Sequence, residues 1–236
     1  MPSPGTRAVR AFTKEDGMGF SDECRAGSAG AWDAAVGHRF VDELWAGSLD
    51  DAVLARYLVQ DLQFLDAFVA LLGAAVATAG RPRPRLVLAR QLGLVAGDED
   101  DYFTRALDRL GVPGPERCDP VLAPPTRGFL DLMDTARRSG DHGVVLTVLL
   151  VAEWLYADWA AREQPAPDDP LHAEWIELHR GPAFTAWVAF LRDEVDRVAT
   201  TAGGAVRSRM AEVFGQAVEL EREFFDAAYG WTTDRG

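Results

Sequence analysis

One stretch, residues 144–160, constrains the fold more than any other part of the chain. It reads VVLTVLLVAEWLYADWA, with Glu153 in its middle. A helix that is apolar on nearly all sides belongs at the centre of a bundle, and helical spacing puts Glu153 and Tyr156 on one face. A carboxylate out of water is costly unless it is paired, hydrogen-bonded or protonated. Glu153 is therefore predicted to be buried or to line a pocket.

Two further acids interrupt apolar helical seams elsewhere in the chain. Asp61 stands where a leucine is expected in the seam Leu54, Leu58, Asp61, Leu65, Phe68 and Leu72. Glu221 interrupts the seam Phe214, Val218, Glu221, Phe225 and Ala228. Helical periodicity turns both acids inward. Three inward acids on three different helices are thus predicted.

Periodicity, caps and breakers predict an all-α chain. Ser21 is the expected N-cap of the first helix, and Ser48 with Asp51 forms a capping-box-like start to the second. The predicted helices cover about 21–45, 48–80, 86–110 with a bend near Gly97, 126–138, 144–160, 171–178, 183–199 and 205–229. Neither strand alternation nor an internal repeat is evident. We expect a flexible leader at 1–19 and a single domain at 20–236.

The charge balance excludes several partners. The chain has 24 basic and 37 acidic residues and a formal net charge of −13. Nucleic acids and anionic membranes are polyanions, so binding to either is not expected. Lys14 is the only lysine, which excludes lysine Schiff-base chemistry from the folded domain.

Cysteine usage and hydropathy indicate a cytoplasmic protein. Cys24 and Cys118 form no CxxC pair and have no metal-ligand spacing. The first 19 residues contain no apolar run long enough for a signal peptide. No other segment is expected to be long and uncharged enough to span a bilayer, since Glu153 and Asp158 interrupt even the central apolar helix.

Each inward acid also has a plainer interpretation. A single acid on a predicted seam is more often an edge residue or the partner of a buried arginine. Glu221 is the weakest of the three by itself, because it lies among Glu219, Arg222 and Glu223 and a small phase error would expose it.

Converging acids suggest either a metal centre or a pocket for a polar heterocycle. A carboxylate-bridged di-metal site in a bundle requires Glu-x-x-His on two helices. No histidine has a glutamate three residues before it, although Asp169 precedes His172 at that spacing. No metal is expected, but a site of one histidine with carboxylates stays open. The pocket interpretation has candidate aromatic walls, which are equally typical of core: Tyr57, Phe64, Phe129, Trp154 and Tyr156.

The sequence lacks the common motifs of nucleophilic catalysis and nucleotide binding. The sequence has no GxSxG, no P-loop and no GxGxxG after a strand.

Five stretches together make the chain resemble the thiaminase II, or TenA, family from Phe20 to Trp231. They are FSDECR at 20–25, YLVQDLQFL at 57–65, LLVAEWLY at 149–156, EWIELHRGPAF at 174–184 and ELEREFFDAAYGW at 219–231. The resemblance implies a haem-oxygenase-like helical bundle with a central pocket, in a homodimer or homotetramer, without bound haem. It also implies action on thiamin or its pyrimidine breakdown products, with no cofactor.

The resemblance assigns roles to individual residues. Asp61 matches the family's pyrimidine-binding aspartate, Glu221 its catalytic acid and Tyr156 the tyrosine of LLPCxWxY. Ala152 replaces the cysteine of that motif and Glu153 follows it, as in the cysteine-lacking branch of the family in which a glutamate replaces the thiol.

Three further pocket positions depart from the family pattern. Phe64 and His179 stand where tyrosines are common. The tyrosine of the fourth helix matches Phe129 or, with another gap placement, Gly128. These changes alter the pocket and weaken the expectation of thiamin cleavage.

The sequence therefore predicts a hydrolase of aminomethyl- or formylaminomethyl-pyrimidine. Glu221 and Glu153 are the expected acid–base pair, and the sequence does not assign which of them donates the proton. The substrate-binding residues are expected to be Asp61, Tyr156, Phe64, His179 and Phe129. A cofactorless oxidase of a small heterocycle and a non-catalytic pyrimidine binder or regulator remain as alternatives.

Overall fold

A computed structural model describes residues 18–95 and 98–231, with only the backbone described for 98–100. The described residues form α-helices and no strand, as the sequence predicts. The helices are α1 Phe20–Gly27, α2 Ala29–Val36, α3 Arg39–Trp45, α4 Asp51–Asp61, α5 Phe64–Thr78, α6 Pro82–Val95, α7 Asp98–Arg109, α8 Gly114–Cys118, α9 Pro124–Ser139, α10 His142–Ala160, α11 Pro170–Leu178, α12 Pro182–Thr201 and α13 Gly204–Ala228.

Helix α10 forms the centre of the bundle, as predicted from its apolar sequence. It packs against α5, α9, α12 and α13. The side chain of Asp141 caps its N-terminus by accepting from the backbone N–H groups of Gly143 and Val144. Gly143 allows a close approach to α13, since a Cβ there would lie 2.7 Å from the Met210 sulfur. The central helix is thus fixed at its first turn.

The first predicted helix is divided into three, α1 to α3. The chain leaves helical geometry at Ser28 and again at Gly37, and His38 is extended. The Nδ1 atom of His38 accepts from the backbone N–H of Phe40 and caps α3. The prediction of one helix from 21 to 45 is therefore wrong. At the second break, the cap formed by His38 competes with the continuous backbone ladder.

The second predicted helix breaks between α4 and α5. Here the backbone ladder changes to i→i−3 bonds, from Gln63 N–H to the carbonyl of Gln60. The Gln63 side chain donates instead to the carbonyl of Val59, which a continuous α-helix would pair with Gln63 N–H. The N-cap is Asp50 and not Ser48. The break leaves Asp61 at the end of one helix and Phe64 at the start of the next.

The third predicted helical region is also two helices, α6 and α7. It begins at Pro82, earlier than expected, because proline is well accommodated in a first helical turn. The predicted bend near Gly97 lies outside the described residues. The following proline-rich loop contains the short helix α8.

Two helical stretches, Asp51–Thr78 and His142–Ala160, are long and apolar enough to cross a membrane by length and composition alone. This corrects the expectation that no segment would qualify. In His142–Ala160, 83% of the apolar window is buried inside the bundle, as in the core helix of a globular protein. The structure divides Asp51–Thr78 into α4 and α5.

Candidate active site

A cavity of about 80 Å³ lies in the bundle beside α10. One water needs about 10–15 Å³ by this measure, so the cavity has room for several waters or one small ring. All seven residues that the sequence predicts for the site line it. The lining comprises Asp61, Phe64, Leu65, Phe68, Phe103, Phe129, Met133, Ala152, Glu153, Tyr156, Trp175, His179 and Glu221.

The three inward acids reach this cavity from three helices. Asp61 is the last residue of α4, Glu153 lies in the middle of α10, and Glu221 lies in α13. Glu153 and Glu221 are only 7% and 6% exposed, and Asp61 is half-buried. The apolar seams around Asp61 and Glu221 and the apolar helix around Glu153 therefore predicted correctly that these acids face inward.

Glu153 is held by an indole from α12. The Nε1–H group of Trp187 donates to Oε1 of Glu153 at 2.8 Å, and the bond is buried. Trp187 is outside the cavity lining and stacks on Phe190 with ring centroids 5.7 Å apart. An indole N–H can only donate, so Oε1 of Glu153 is the acceptor in this bond.

Glu221 lies in a buried environment close to another acid. Burial raises the pKa of its carboxyl group well above the ordinary value, and the negative charge of Asp61 raises that pKa further. Glu221 consequently carries its proton at a pH where an exposed glutamate is ionised. The cavity thus combines a proton-bearing acid, Glu221, with a second acid, Glu153, that accepts a hydrogen bond.

Tyr156 is paired with Tyr57, a residue behind the cavity wall. Their phenolic oxygens lie 2.6 Å apart in a buried hydrogen bond. Burial raises the pKa of both phenols well above the ordinary value, and the negative charge of Asp61 adds to the effect. Both hydroxyls are therefore protonated throughout the neutral range.

His179 enters the site as a neutral ring. Its Nδ1 lies 2.8 Å from the carbonyl oxygen of Trp175, which can only accept, so Nδ1 carries the hydrogen. Burial lowers the pKa of His179 to about 4. Nε2 is then an acceptor near neutral pH. The ring contacts Tyr156 with centroids 4.8 Å apart.

Aromatic rings form much of the remaining wall. Phe64 packs edge-on against Phe129 with centroids 5.5 Å apart. Tyr57 and Trp154, which the sequence offered as stacking walls, are not in the lining. Trp154 contacts Trp32 instead, with centroids 5.0 Å apart.

Several lining residues were not predicted as site residues. Leu65 and Phe68 belong to the same seam as Asp61, so the helical period could have identified them. Trp175 precedes His179 by one helical turn, a spacing that could have placed it on the same face. In the described part of the chain, no group of three His, Cys, Asp or Glu side chains could hold a metal ion.

Comparison with known proteins gives one consistent family. The sequence model of the TENA/THI-4/PQQC family matches residues 26–230. The chain is 27% identical over 221 residues to the aminopyrimidine aminohydrolase of Bacillus subtilis (strain 168), a match that covers 91% of this chain and 93% of the relative. It is 22% identical over 201 residues to the aminopyrimidine aminohydrolase of Halalkalibacterium halodurans, covering 84% and 90%.

A solved structure agrees with these sequence matches. The TenA homologue from P. horikoshii OT3 superposes with a TM-score of 0.77 and 21% identity, covering 89% of this chain and 98% of the other. The predicted all-α, haem-oxygenase-like fold is confirmed.

Proposed function

Since this chain belongs to the TENA/THI-4/PQQC family, we propose that it is a thiamin-salvage hydrolase of the thiaminase II type. Its substrates are aminomethyl- or formylaminomethyl-pyrimidine breakdown products of thiamin. Two relatives matched over most of their length carry the name aminopyrimidine aminohydrolase. The observation that carries the proposal is the convergence of Asp61, Glu153 and Glu221 on one small cavity.

Asp61 orients the pyrimidine ring. A carboxylate accepts hydrogen bonds from an exocyclic amine and a protonated ring nitrogen together, in the manner of a bidentate pair. The surrounding aromatic side chains, among them Phe64 and Phe129, contact the ring faces. This arrangement selects a planar, donor-rich heterocycle over an apolar ligand of equal size.

Glu221 and Glu153 each carry out one of the two proton transfers. Glu221, which burial keeps protonated, donates its proton to the departing amine nitrogen as the methylene C–N bond breaks. Glu153 accepts a proton from water as the new C–O bond forms, so the products are hydroxymethyl pyrimidine and ammonia. General acid–base catalysis of this kind contributes about 10²–10⁴-fold to a rate.

The formyl derivative requires a different bond to break. Water then adds to the formyl carbon, the amide C–N bond breaks, and the products are formate and aminomethyl pyrimidine. The same acid and base supply and remove the protons.

Glu153 performs the task that the family thiol performs elsewhere. Ala152 lines the cavity next to Glu153, so the position of the missing cysteine and its replacement share one wall. This supports the proposal that the chain belongs to the cysteine-lacking branch of the family.

We further propose a homodimer or homotetramer in the cytoplasm. Helix α6 exposes Leu86 at 71% and Leu94 at 52%, which a second copy would cover. Both cysteines, Cys24 and Cys118, are free thiols, as in reducing compartments. Light scattering of the wild type and of Leu86→Glu tests the contact, since the charge is expected to shift the assembly toward monomer.

The function is tested by incubating the purified protein separately with aminomethyl pyrimidine, its formyl derivative and thiamin. Ammonia, formate and pyrimidine products are followed. Turnover of either pyrimidine but not of thiamin supports the proposal. Thiamin cleavage would contradict the assignment of Glu153 as a replacement for the thiol, and tight pyrimidine binding without turnover would indicate a non-catalytic binder.

A further inference from the structure

We propose that Trp187 is a positioning residue that holds the Glu153 carboxylate in its reactive orientation through the indole N–H group. The inference rests on the proposed function, in which Glu153 acts on water. Neither the sequence motifs nor the pattern of inward acids points to Trp187, because it lies on α12 outside the cavity lining.

The geometry supports a directional role. The indole Nε1 lies 2.8 Å from Oε1 of Glu153, and both side chains are buried. A glutamate side chain has three rotatable bonds, and fixing one carboxylate oxygen restricts the group to one orientation at the cavity wall. The indole itself is held by stacking on Phe190, with planes 19° apart.

The chemistry of the donor supports the same role. An indole N–H cannot accept a proton at any pH relevant to a protein, so the bond favours a carboxylate over a carboxylic acid. A base that must remove a proton from water has to stay ionised while the neighbouring Glu221 stays protonated. Trp187 therefore helps to separate the protonation states of two acids that share one cavity.

The test compares two tryptophan variants. Trp187→Phe keeps an aromatic ring and removes the donor. Trp32→Phe is the matched control, because the buried Trp32 indole also donates to a carboxylate, Asp158 Oδ2 at 3.0 Å, that lies outside the cavity lining. If Trp187→Phe does not fold, Trp187→Met fills the space without a donor and is measured in the same way.

The first readout does not depend on turnover. Side-chain ¹³C-carboxyl resonances of labelled glutamates are followed against pH, and the resonance missing in Glu153→Gln identifies Glu153. Loss of a hydrogen bond to a charged group is expected to change the titration midpoint of that group by about one pH unit or more. We expect the Glu153 midpoint to rise by about that amount in Trp187→Phe and to stay unchanged in Trp32→Phe. An unchanged midpoint in Trp187→Phe would overturn the inference.

The second readout is a double-mutant cycle on the aminopyrimidine reaction. We expect Trp187→Phe to lower kcat about tenfold with little change in KM, and to have no further effect in a Glu153→Gln background. An equal loss in both backgrounds would show a merely structural role. If the wild type turns over no substrate, the proposed function fails, while the carboxyl titration still decides the role of Trp187.

Discussion

The phenolic oxygens of Tyr57 and Tyr156 lie 2.6 Å apart and link a cavity-lining side chain to one behind the wall. Tyr57 also precedes Asp61 by one turn of α4. We infer that Tyr57 fixes the Tyr156 hydroxyl next to the acids.

Tyr57→Phe removes the partner of a buried hydroxyl without changing the cavity lining. An unsatisfied buried hydroxyl costs about 1–3 kcal/mol, and we expect a stability loss in that range with about a tenfold fall in kcat. Urea unfolding and steady-state kinetics measure the two effects. Tyr102→Phe is the control, since the buried Tyr102 hydroxyl donates to the Leu171 carbonyl outside the cavity lining. Equal kcat losses in both variants would contradict a specific role.

The raised pKa of Glu221 makes stability depend on pH. Its folded pKa lies well above the ordinary 4.5, so the folded state binds more protons than the unfolded state above that pH. The contribution of protonated Glu221 to stability is complete below about pH 4.5 and is lost as the pH rises toward the pKa of Glu221 in the folded state. We therefore expect Glu221→Gln to become progressively more stable than the wild type as the pH rises.

Urea unfolding at several pH values checks this dependence. The control is Glu223→Gln, because Glu223 is an exposed side chain on the same helix. A stability difference between Glu221→Gln and the wild type that does not vary with pH would contradict a buried, protonated Glu221.

The lowered pKa of His179 makes stability depend on pH in the acidic range. Burial lowers the pKa from 6.5 to about 4, so the unfolded state binds more protons between these values. Stability is expected to fall by roughly 3 kcal/mol as the pH drops from 6.5 to 4. His179→Asn retains a donor for the Trp175 carbonyl and should lose most of this dependence.

The matched control for His179 is His38→Asn. His38 Nε2 lies 3.1 Å from the exposed carboxylate of Asp226, outside the cavity lining. If His38→Asn reduces the fall in stability at acidic pH and His179→Asn does not, the buried neutral ring of His179 does not explain that fall.

Asp61→Asn tests recognition of the pyrimidine edge. The amide offers a donor where two acceptors are needed, and loss of a charged hydrogen bond costs about 1.5–3 kcal/mol. We expect binding of the pyrimidine product to weaken about 10–100-fold, as measured by calorimetry. Asp66→Asn, at an exposed position of α5, should bind normally. Normal binding by Asp61→Asn would remove this residue from the site.

Sequence periodicity and composition were sufficient to place the three acids. The seams around Asp61 and Glu221 have the helical period, which predicts burial of one face. Glu153 lies in a helix that is apolar on nearly all sides, so its burial follows from that composition. The interruptions of the helices at Ser28 and Gln63 were not predicted. At Gln63, a side-chain bond and an i→i−3 backbone bond compete locally with the α-helical ladder.

The partners of the site residues could not be read from the sequence. Trp187 is 34 residues from Glu153, and Tyr57 is 99 residues from Tyr156. These pairs depend on how α12 and α4 pack against α10, and no local pattern encodes that packing. Periodicity and composition therefore identified the acids but not the groups that tune them.

We propose that hydrolysis by this protein uses carboxylates and no thiol. Cys24 and Cys118 lie outside the cavity lining, and burial raises the pKa of the Cys24 thiol to about 11, which disfavours the reactive thiolate.

The most direct test measures ammonia release from aminomethyl pyrimidine by the wild type, by the cysteine-free variant Cys24→Ala/Cys118→Ser, and by Glu153→Gln. We expect the cysteine-free protein to match the wild type and Glu153→Gln to lose at least about 100-fold in kcat. Loss of turnover in the folded cysteine-free protein, with Glu153→Gln still active, would contradict the account.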